Sequence, residues 1–309
     1  MTLAIEVVDL EKWYGTNHAL RGVSFAVEEG EVFALLGPNG AGKSTTVEIL
    51  EGHREASAGT VEVLGMNPAT GGLALRDRIG VVLQTSGSES LLTPREVVDV
   101  YGAAYSRRLP TDEVLDTVGL TEKADDRIGS LSGGQQRRVD LALGLVGSPD
   151  LIFLDEPTTG FDPSARRRAW ELVDRLRGEG RTILLTTHYM DEAQHLADRV
   201  AVIARGEIVA TGRPGDLGGP SETVVGFVVP AGVVVPEELL AQGRVTGNRF
   251  SARSARPTAF VGDICAWATG LGLELEGLTV TRPTLEDVYL ELTEPGAEAG
   301  AAEESGARD

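Results

Sequence analysis

The sequence contains a single cysteine, Cys265, in 309 residues. One cysteine excludes an internal disulfide and suits a reducing compartment. No apolar run approaches the roughly 18–20 residues of a membrane-spanning helix, and the most apolar stretch, 224–235, is interrupted by Gly226, Pro230 and Gly232. The first ten residues lack the basic start and continuous apolar region of a secretion signal. We therefore expect a cytoplasmic protein, with strands in 224–235.

Positive charge is also scarce, because 28 Lys and Arg stand against 47 Asp and Glu, a net charge of −19. Broad surfaces that bind nucleic acid or anionic lipid need basic patches, so we expect no nucleic-acid partner and read the acidic surface as a source of solubility. Hydrophobic residues make up 41% of the chain. That fraction supports a real core, and the length allows one large domain with a smaller one.

A nine-residue glycine-rich motif follows a short apolar stretch, 32–36, and precedes a helical pattern, 45–50. The motif consists of Gly37, Pro38, Asn39, Gly40, Ala41, Gly42, Lys43, Ser44 and Thr45. Strand, glycine loop and helix in this order predict a phosphate loop, whose backbone N–H groups and helix N-terminus hold nucleotide phosphates. We expect Lys43 to contact the β- and γ-phosphates and the Ser44 hydroxyl to bind Mg²⁺.

Paired carboxylates end a second apolar run. Leu151 to Leu154 has the continuous β-rich pattern of a strand covered on both faces, and Asp155 and Glu156 follow it. Because strand side chains alternate, the two acids point in different directions. We expect Asp155 to hold Mg²⁺ and Glu156 to polarise the attacking water.

Between these motifs stands Leu131-Ser132-Gly133-Gly134-Gln135. The three blocks, in this order and spacing, resemble the nucleotide-binding domain of ATP-binding cassette (ABC) proteins over roughly residues 4–215. The resemblance implies that Ser132, Gly133, Gly134 and Gln135 form the signature that meets the γ-phosphate bound by a second copy of the protein, as a helix N-terminus meets an anion. It therefore implies an ATP-sandwich homodimer.

The resemblance implies four further roles. Tyr14 corresponds to the aromatic residue that stacks on adenine, and Gln84 to the glutamine that touches Mg²⁺ or water and couples to a membrane partner. Asp162 corresponds to the aspartate of the loop that links the two sites, and His188 to the histidine that contacts the γ-phosphate. The other histidines, at 18, 53 and 195, match no catalytic position and are expected on the surface or in packing.

Several arginines lie close to these motifs. We expect Arg137 and Arg138 to be exposed charges, or charges that support the site from behind. The run 166–168 is expected on a solvated helix face.

The fold class expected is α/β. It is a P-loop ABC nucleotide-binding domain, 1–215, with a mixed, largely parallel sheet core, an antiparallel β subdomain and a helical signature subdomain. A small α+β C-terminal module, 216–293, follows, with strands at 223–229, 247–253 and 273–281 and helices at 257–271 and 285–292. The tail, 294–309, is acidic and rich in Ala and Gly, so we expect it to be disordered.

Segments 57–65 and 283–292, together with the appended module, resemble exporter ATPases of the daunorubicin/doxorubicin-resistance type. That resemblance implies an ATP- and Mg²⁺-dependent subunit held on the inner face of the cell membrane by a separately encoded integral-membrane permease. The expected cargo is a drug or antibiotic. Phe161 departs from the family pattern, in which leucine is usual.

Three other functions stay open. The cargo of an exporter of this kind is alternatively a lipid or polysaccharide. A non-transport ABC ATPase of DNA repair, translation or iron–sulfur assembly is a second alternative, against which the single cysteine, the single cassette and the absence of a heptad run argue. A regulatory module that binds ATP without turnover is the third, and the intact Lys43, Asp155, Glu156 and His188 argue against it.

Overall fold

The computed structural model describes residues 2–82, 90–217 and 223–281. The chain divides into two compact units, Met1–Pro214 and Gly215–Asp309. Among the described residues, no helix is both long enough and apolar enough to cross a membrane.

The first unit alternates strands and helices. Its strands are β1 (Leu3–Tyr14), β2 (Asn17–Glu28), β3 (Val32–Leu36), β4 (Ala58–Val63), β5 (Ile79–Val82), β6 (Leu151–Asp155), β7 (Thr182–Thr187), β8 (Arg199–Ala204) and β9 (Glu207–Gly212). Its helices are α1 (Lys43–Leu50), α2 (Pro68–Arg76), α3 (Pro94–Gly102), α4 (Thr111–Thr117), α5 (Gly133–Leu145), α6 (Pro163–Gly178) and α7 (Met190–Leu196), with 3-10 turns at Thr121–Lys123 and Ile128–Ser130.

A six-stranded sheet in the order β5-β6-β7-β3-β8-β9 forms the centre of this unit. The five strands from β5 to β8 pair in parallel, and β9 is antiparallel to β8. Every residue of β3 and β7 is buried, as are the first four of β6. Continuous burial of this kind requires cover on both faces of the sheet, which explains why β3 and the first four residues of β6 are apolar without alternation.

A second, three-stranded sheet is antiparallel, in the order β2-β1-β4. Buried and exposed residues are interspersed along β1, as expected where one face packs on a core. Phe25 of β2 stacks on Phe33 of β3 with ring centroids 5.3 Å apart, so the two sheets share one hydrophobic core.

Helices α3, α4 and α5 pack on one another, and α5 also packs on β5. Helix α3 begins with a capping box in which Thr93 and Glu96 each accept the other's backbone N–H. The expected α/β class, with a largely parallel sheet, an antiparallel sheet and a helical segment, is confirmed.

The second unit has a four-stranded antiparallel sheet in the order β11-β12-β10-β13. The elements are β10 (Thr223–Val228), α8 (Glu237–Leu240), β11 (Gly243–Thr246), β12 (Arg249–Ser254), α9 (Pro257–Gly270) and β13 (Thr279–Thr281). Phe227 of β10 and Phe250 of β12 stack with centroids 4.9 Å apart at the centre of its core.

Two strands expected in this unit are too long, and one strand was missed. Only Thr279–Thr281 of the expected strand 273–281 is a strand, because Gly277 takes a left-handed φ of 62° that breaks an extended run. Strand β10 ends at Val228, and nothing in 229–235 continues it. Strand β11 was not expected at all. The expected helix 285–292 and the tail 294–309 lie outside the described residues.

Candidate active site

The glycine-rich loop connects β3 to α1. Gly40 and Gly42 have φ values of 80° and 110°, a conformation that side chains disfavour. At Gly37 a Cβ atom would lie 2.3 Å from the carbonyl oxygen of Ile203, so the loop is pressed against β8. These constraints fix a tight turn that directs the first N–H groups of α1, which have no acceptor within the helix, toward one point.

Lys43 begins α1 and is 4% exposed. Its ammonium donates to the carbonyl oxygens of Gly37 and Pro38, at 2.7 and 3.2 Å, and lies 3.4 Å from Glu156 Oε1. Burial lowers the pKa of Lys43, and the negative charge of Glu156 opposes that effect. The contact with Glu156 keeps a positive charge beside the loop despite the loss of water.

Glu156 stands just beyond β6 with φ at +44°, which is uncommon for a residue that has a Cβ atom. Its backbone N–H donates to Thr186, at 3.2 Å to the carbonyl and 3.1 Å to Oγ1. Thr159 Oγ1 donates to Oε2 of Glu156 at 3.1 Å, so both the backbone and the side chain are held.

Burial alone would raise the pKa of Glu156, but contacts with His188, Lys43 and Thr159 outweigh it and lower the pKa. His188 follows β7, and its Nδ1 lies 3.2 Å from Glu156 Oε1. The side chain of Glu156 is 10% exposed and that of His188 30%. The pocket therefore holds an ionised carboxylate between an ammonium and an imidazole, in contact with solvent on one side.

The strand order of the sheet explains why these three side chains lie close together. Lys43, Glu156 and His188 follow β3, β6 and β7 respectively, and the sheet places these strands in the sequence β6-β7-β3. Carboxyl ends of adjacent parallel strands converge at one edge of a sheet, which is where α/β proteins bind ligands.

Asp155 ends β6, and its Oδ1 accepts a hydrogen bond from Thr186 Oγ1. The backbone carbonyl of Asp155 accepts from Arg137 at 3.3 Å. Arg137 is 8% exposed, so of the two alternatives expected for it the second applies: it is a buried charge that supports the strand end from behind. Arg138 is half-buried.

The oxygen donors near the strand end suit a hard cation such as Mg²⁺, which takes few protein ligands and completes its shell with water and phosphate. Asp155 supplies a carboxylate, and Ser44, in the exposed first turn of α1, supplies a hydroxyl. Clusters of three or more His, Cys, Asp or Glu that would form an all-protein cage do not occur among the described residues.

The signature residues form the N-terminus of α5. Ser132 is the N-cap residue, and its Oγ accepts from the N–H of Gln135 at 3.3 Å, while Gln135 Oε1 accepts from the N–H of Ser132 at 2.9 Å. This is a capping box. Ser132 and Gly133 are exposed, and space is open around Gly133, so this helix end faces away from the protein's own core.

Asp162 caps α6 in a similar way. Its Oδ1 accepts from the N–H groups of Ser164 and Ala165, at 2.8 and 2.9 Å. Hydrogen bonds from these N–H groups, that of Ala165 most strongly, lower the pKa of Asp162. In the structure Asp162 thus orients the start of α6, and no described contact joins it or Ser132 to Lys43.

Tyr14 ends β1 and is 38% exposed. Two cations flank its ring, Lys12 Nζ at 5.3 Å and the Arg54 guanidinium at 5.5 Å from the centroid. An exposed ring held by cations suits stacking on a base. Gln84, the last candidate, lies outside the described residues.

Sequence reasoning missed Glu192, which is fully buried on α7. Its Oε1 accepts from Thr158 Oγ1 at 2.8 Å and from Trp170 Nε1 at 3.4 Å. Burial raises the pKa of Glu192 against these hydrogen bonds. The sequence contained a signal for this burial, because Glu192 and the apolar Leu196 are four residues apart and therefore share one face of a helix.

The remaining histidines are in packing or on the surface, as expected. His18 stacks on Trp13 and His195 on Trp170, while His53 is half-exposed beside Glu51. Arg166 differs from the solvated face expected for 166–168, because its guanidinium lies 4.7 Å from the Tyr189 ring and pairs with Asp191.

A phosphate loop, a strand-end Asp-Glu pair and a histidine after the neighbouring strand define a P-loop ATPase. Residues 20–159 match the family model described as ABC transporter. The chain is 35% identical over 321 residues to the daunorubicin resistance ATP-binding protein DrrA2 of Streptomyces coeruleorubidus, covering 98% of both chains. It is 34% identical to the linearmycin resistance ATP-binding protein LnrL of Bacillus subtilis, covering 94% of this chain and 98% of the relative.

Solved structures agree. An ATP-binding subunit of an ABC transporter is 30% identical, with a TM-score of 0.62, and is matched over 70% of this chain and 92% of its own. A dimeric ATP-binding cassette bound to ADP and phosphate is 26% identical, with a TM-score of 0.61, over 68% and 98%. This chain belongs to the ABC transporter ATP-binding family and is an ATP hydrolase. The resemblance to the daunorubicin-resistance type is confirmed.

Proposed function

We propose that this chain is the ATPase subunit of an exporter that removes a drug or antibiotic through a separately encoded permease. The observation that carries the proposal is the ionised Glu156 held between Lys43 and His188, in a chain that matches resistance ATPases over nearly its whole length.

Hydrolysis follows from this geometry. Water attacks the γ-phosphorus of ATP, and Glu156, ionised because its pKa is lowered, accepts the proton that the water loses. The bond between the γ-phosphorus and the oxygen of ADP breaks. Lys43 stabilises the charge on the phosphate oxygens, and His188 contacts the γ-phosphate. Mg²⁺ held by Asp155, Ser44 and Gln84 would neutralise phosphate charge.

The exposed N-terminus of α5 supports a homodimer. A capped helix end with open space around Gly133 offers N–H groups and a positive dipole end to an anion. We propose that this anion is the γ-phosphate of ATP bound to a second copy of the protein. Asp162, at the start of α6, would lie beside that phosphate. Each ATP then lies between the phosphate loop and Tyr14 of one protomer and Ser132 of its partner.

An apolar groove supports a membrane permease as partner. Its volume is about 550 Å³, and α2 and α3 contribute Leu73, 82% exposed, and Tyr101, 50% exposed. Val100, which precedes Tyr101 in α3, is 62% exposed. Apolar side chains exposed together mark a surface that another protein covers. This docking holds the chain at the inner face of the membrane.

The alternative of a lipid or polysaccharide cargo is supported by a relative that is not a resistance protein. The Nod factor export ATP-binding protein I of Rhizobium meliloti is 38% identical, covering 94% of this chain and 88% of the relative. Similar likeness to relatives with different cargo fits a subunit that supplies energy and leaves cargo choice to the permease.

Affinity purification from detergent-solubilised membranes tests the permease. We expect one polytopic membrane protein to copurify with the chain, and the substitution Leu73→Asp to abolish its recovery. Leu278→Asp, on the second unit and 37% exposed, is the matched control. Recovery that is unchanged by Leu73→Asp contradicts the assignment of the groove.

Co-expression of the chain with that permease in a sensitive host tests the cargo. We expect resistance to daunorubicin or a related amphipathic antibiotic to rise with the wild-type chain and to be absent with Glu156→Gln. Unchanged susceptibility to a panel of such drugs, with the complex assembled, contradicts drug export and leaves the ATPase assignment intact.

A further inference from the structure

A cavity of about 200 Å³ lies between α4, α5 and α6 in the first unit. Its floor is apolar and well packed, with Val118 3%, Leu141 4% and Leu172 7% exposed. Its edge carries three arginines, Arg138 of α5 and Arg168 and Arg175 of α6. In a chain with net charge −19, three guanidiniums around one cavity call for a local explanation.

These guanidiniums bond to neutral groups. Arg138 donates to the carbonyl oxygen of Gly119 at 2.9 Å, Arg175 to that of Thr117 at 3.3 Å, and Arg168 to Ser164 Oγ at 2.6 Å. Among the described residues, none of the three has a carboxylate within 4.0 Å. Burial lowers the pKa of Arg138, and the neighbouring charge of Arg168 lowers it further, because the two guanidiniums lie close enough to repel one another.

Acidic groups near the cavity set the charge of an occupant. Asp116 and Glu171 also line it, which leaves one positive charge more than negative among the lining side chains. Arg168 lies within electrostatic reach of Asp162, but that carboxylate already accepts from two N–H groups of α6. This net charge of the lining favours an occupant with one negative charge over an occupant with two.

We propose that this cavity binds a small organic monoanion, an aromatic or similar apolar body that carries one carboxylate. The body packs on Val118, Leu141 and Leu172, and the carboxylate accepts from the arginines, whose planar donors match carboxylate geometry.

Occupancy has a consequence that rests on the proposed function. Gly134 of the signature helix and Phe161, next to Asp162, both line the cavity. A ligand that bridges α5 and α6 therefore couples the two helix starts that meet the second protomer's ATP. We expect it to change the ATPase rate.

Benzoate and its neutral isostere benzamide test binding independently of hydrolysis. The full chain, saturated with Mg-ADP to occupy the phosphate loop, is titrated while backbone amide NMR shifts are followed. We expect benzoate to shift the amides of Val118, Leu141 and Ala169 with millimolar affinity, and benzamide to bind about tenfold more weakly, because charge-assisted hydrogen bonds are the stronger ones.

Surface variants of α6 complete the test. Arg168→Gln and Arg175→Gln should each weaken benzoate binding about threefold or more. Arg167→Gln is the matched control, because Arg167 is exposed on the same helix and does not line the cavity. Equal binding of benzoate and benzamide, shifts elsewhere only, or equal loss in all three variants overturns the site. An ATPase rate unchanged by bound benzoate overturns the coupling alone.

Discussion

At the scale of single residues, Glu156 is the residue proposed to accept the proton from water, and its surroundings suit that role. A left-handed φ, two hydrogen bonds donated by its N–H and one accepted by its carboxylate hold it in place. The carboxylate stays ionised in a partly desolvated pocket because Lys43 and His188 stand on either side. The backbone strain at this position is stabilised by contacts with Thr186 and Thr159.

Glu156→Gln should retain ATP binding and lower steady-state turnover by about a hundredfold or more, because an amide is a far weaker proton acceptor than a carboxylate. Phosphate release measures turnover, and size-exclusion chromatography with Mg-ATP should show a trapped dimer. Glu31→Gln is a control, since Glu31 pairs with Arg199 away from the loop. ATP hydrolysis by Glu156→Gln at near the wild-type rate would contradict the proposal that Glu156 accepts the proton from water.

Glu51, at the end of α1, gives a pH-dependent prediction. Burial, with the charges of Asp155 and Glu48, raises its pKa from 4.5 to about 8, so the folded protein holds a proton that the unfolded chain has lost. Unfolding releases that proton between pH 4.5 and about 8, and the wild type loses stability as pH rises through this window. Glu51→Gln does not ionise and should gain up to about 3 kcal/mol over the wild type between pH 5 and pH 8.5.

Urea unfolding of both proteins across this range measures the difference. His53 Nδ1 lies 3.1 Å from Glu51 Oε2, so the comparison is repeated with His53→Gln in both backgrounds to separate the contribution of this contact. Parallel stability curves for the wild type and Glu51→Gln would show that Glu51 is ionised in the folded state.

At the scale of elements, sequence reasoning was most accurate where local chemistry decides the structure. Strands β3 and β6 are almost wholly apolar runs next to a motif, so the hydrophobic pattern located them. In the second unit β11 is short and largely exposed. No burial pattern marks such a strand, and its pairing with β12 is decided by tertiary contacts.

The site divides in the same way. Motifs located the residues that would touch ATP, because their chemistry needs fixed spacing. Thr186 and Glu192 were not located as support, because their partners stand far away in the chain. For Arg137 support was one of two expectations, and only the fold shows that it contacts Asp155. The role of Ser132 as the cap of its own helix was present in the sequence as Ser-x-x-Gln. The assignment of each site residue to a catalytic role stays a prediction.

The α5 N-terminus yields a test of composite sites. Lys43→Ala damages a protomer's own phosphate loop, and Ser132→Arg puts bulk and charge where the signature should meet the partner's phosphate. Each variant alone should be inactive. An equal mixture should recover a measurable part of the activity, because mixed dimers contain one complete site if a single site turns over alone.

The Ser132→Arg protein by itself gives the decisive result. Its dimerisation is measured by chromatography and its fold by circular dichroism, with Ser130→Arg as a nearby exposed control. Normal hydrolysis by folded, dimeric Ser132→Arg would contradict composite sites.

At the scale of the whole molecule, we propose three segments, namely the ATPase domain 1–215, the accessory module 216–293 and the tail 294–309. Each has a separate expected contribution. Every motif expected to contact phosphate lies before Gly212, and the core of the second unit uses its own residues.

Removal of 294–309 should therefore be nearly silent. A chain that ends at Gly219 should bind ATP with affinity within about threefold of wild type, while dimerisation or coupling to the permease changes. Equilibrium binding of a fluorescent ATP analogue measures the first, and light scattering with Mg-ATP the second. A truncated protein that is folded and binds no ATP would place the domain boundary elsewhere.

The strand order of the large sheet also bears on how the protein is made. Strand β3 leads into the phosphate loop early in the chain, yet its neighbours are β7 and β8, from the far end of the first unit. During synthesis β3 is buried by neither until most of the unit has emerged, and non-local pairings of this kind form slowly. In a nascent chain the phosphate-loop sequence is therefore synthesised long before the strands that hold it in place. ATP binding consequently reports that the whole first unit has folded.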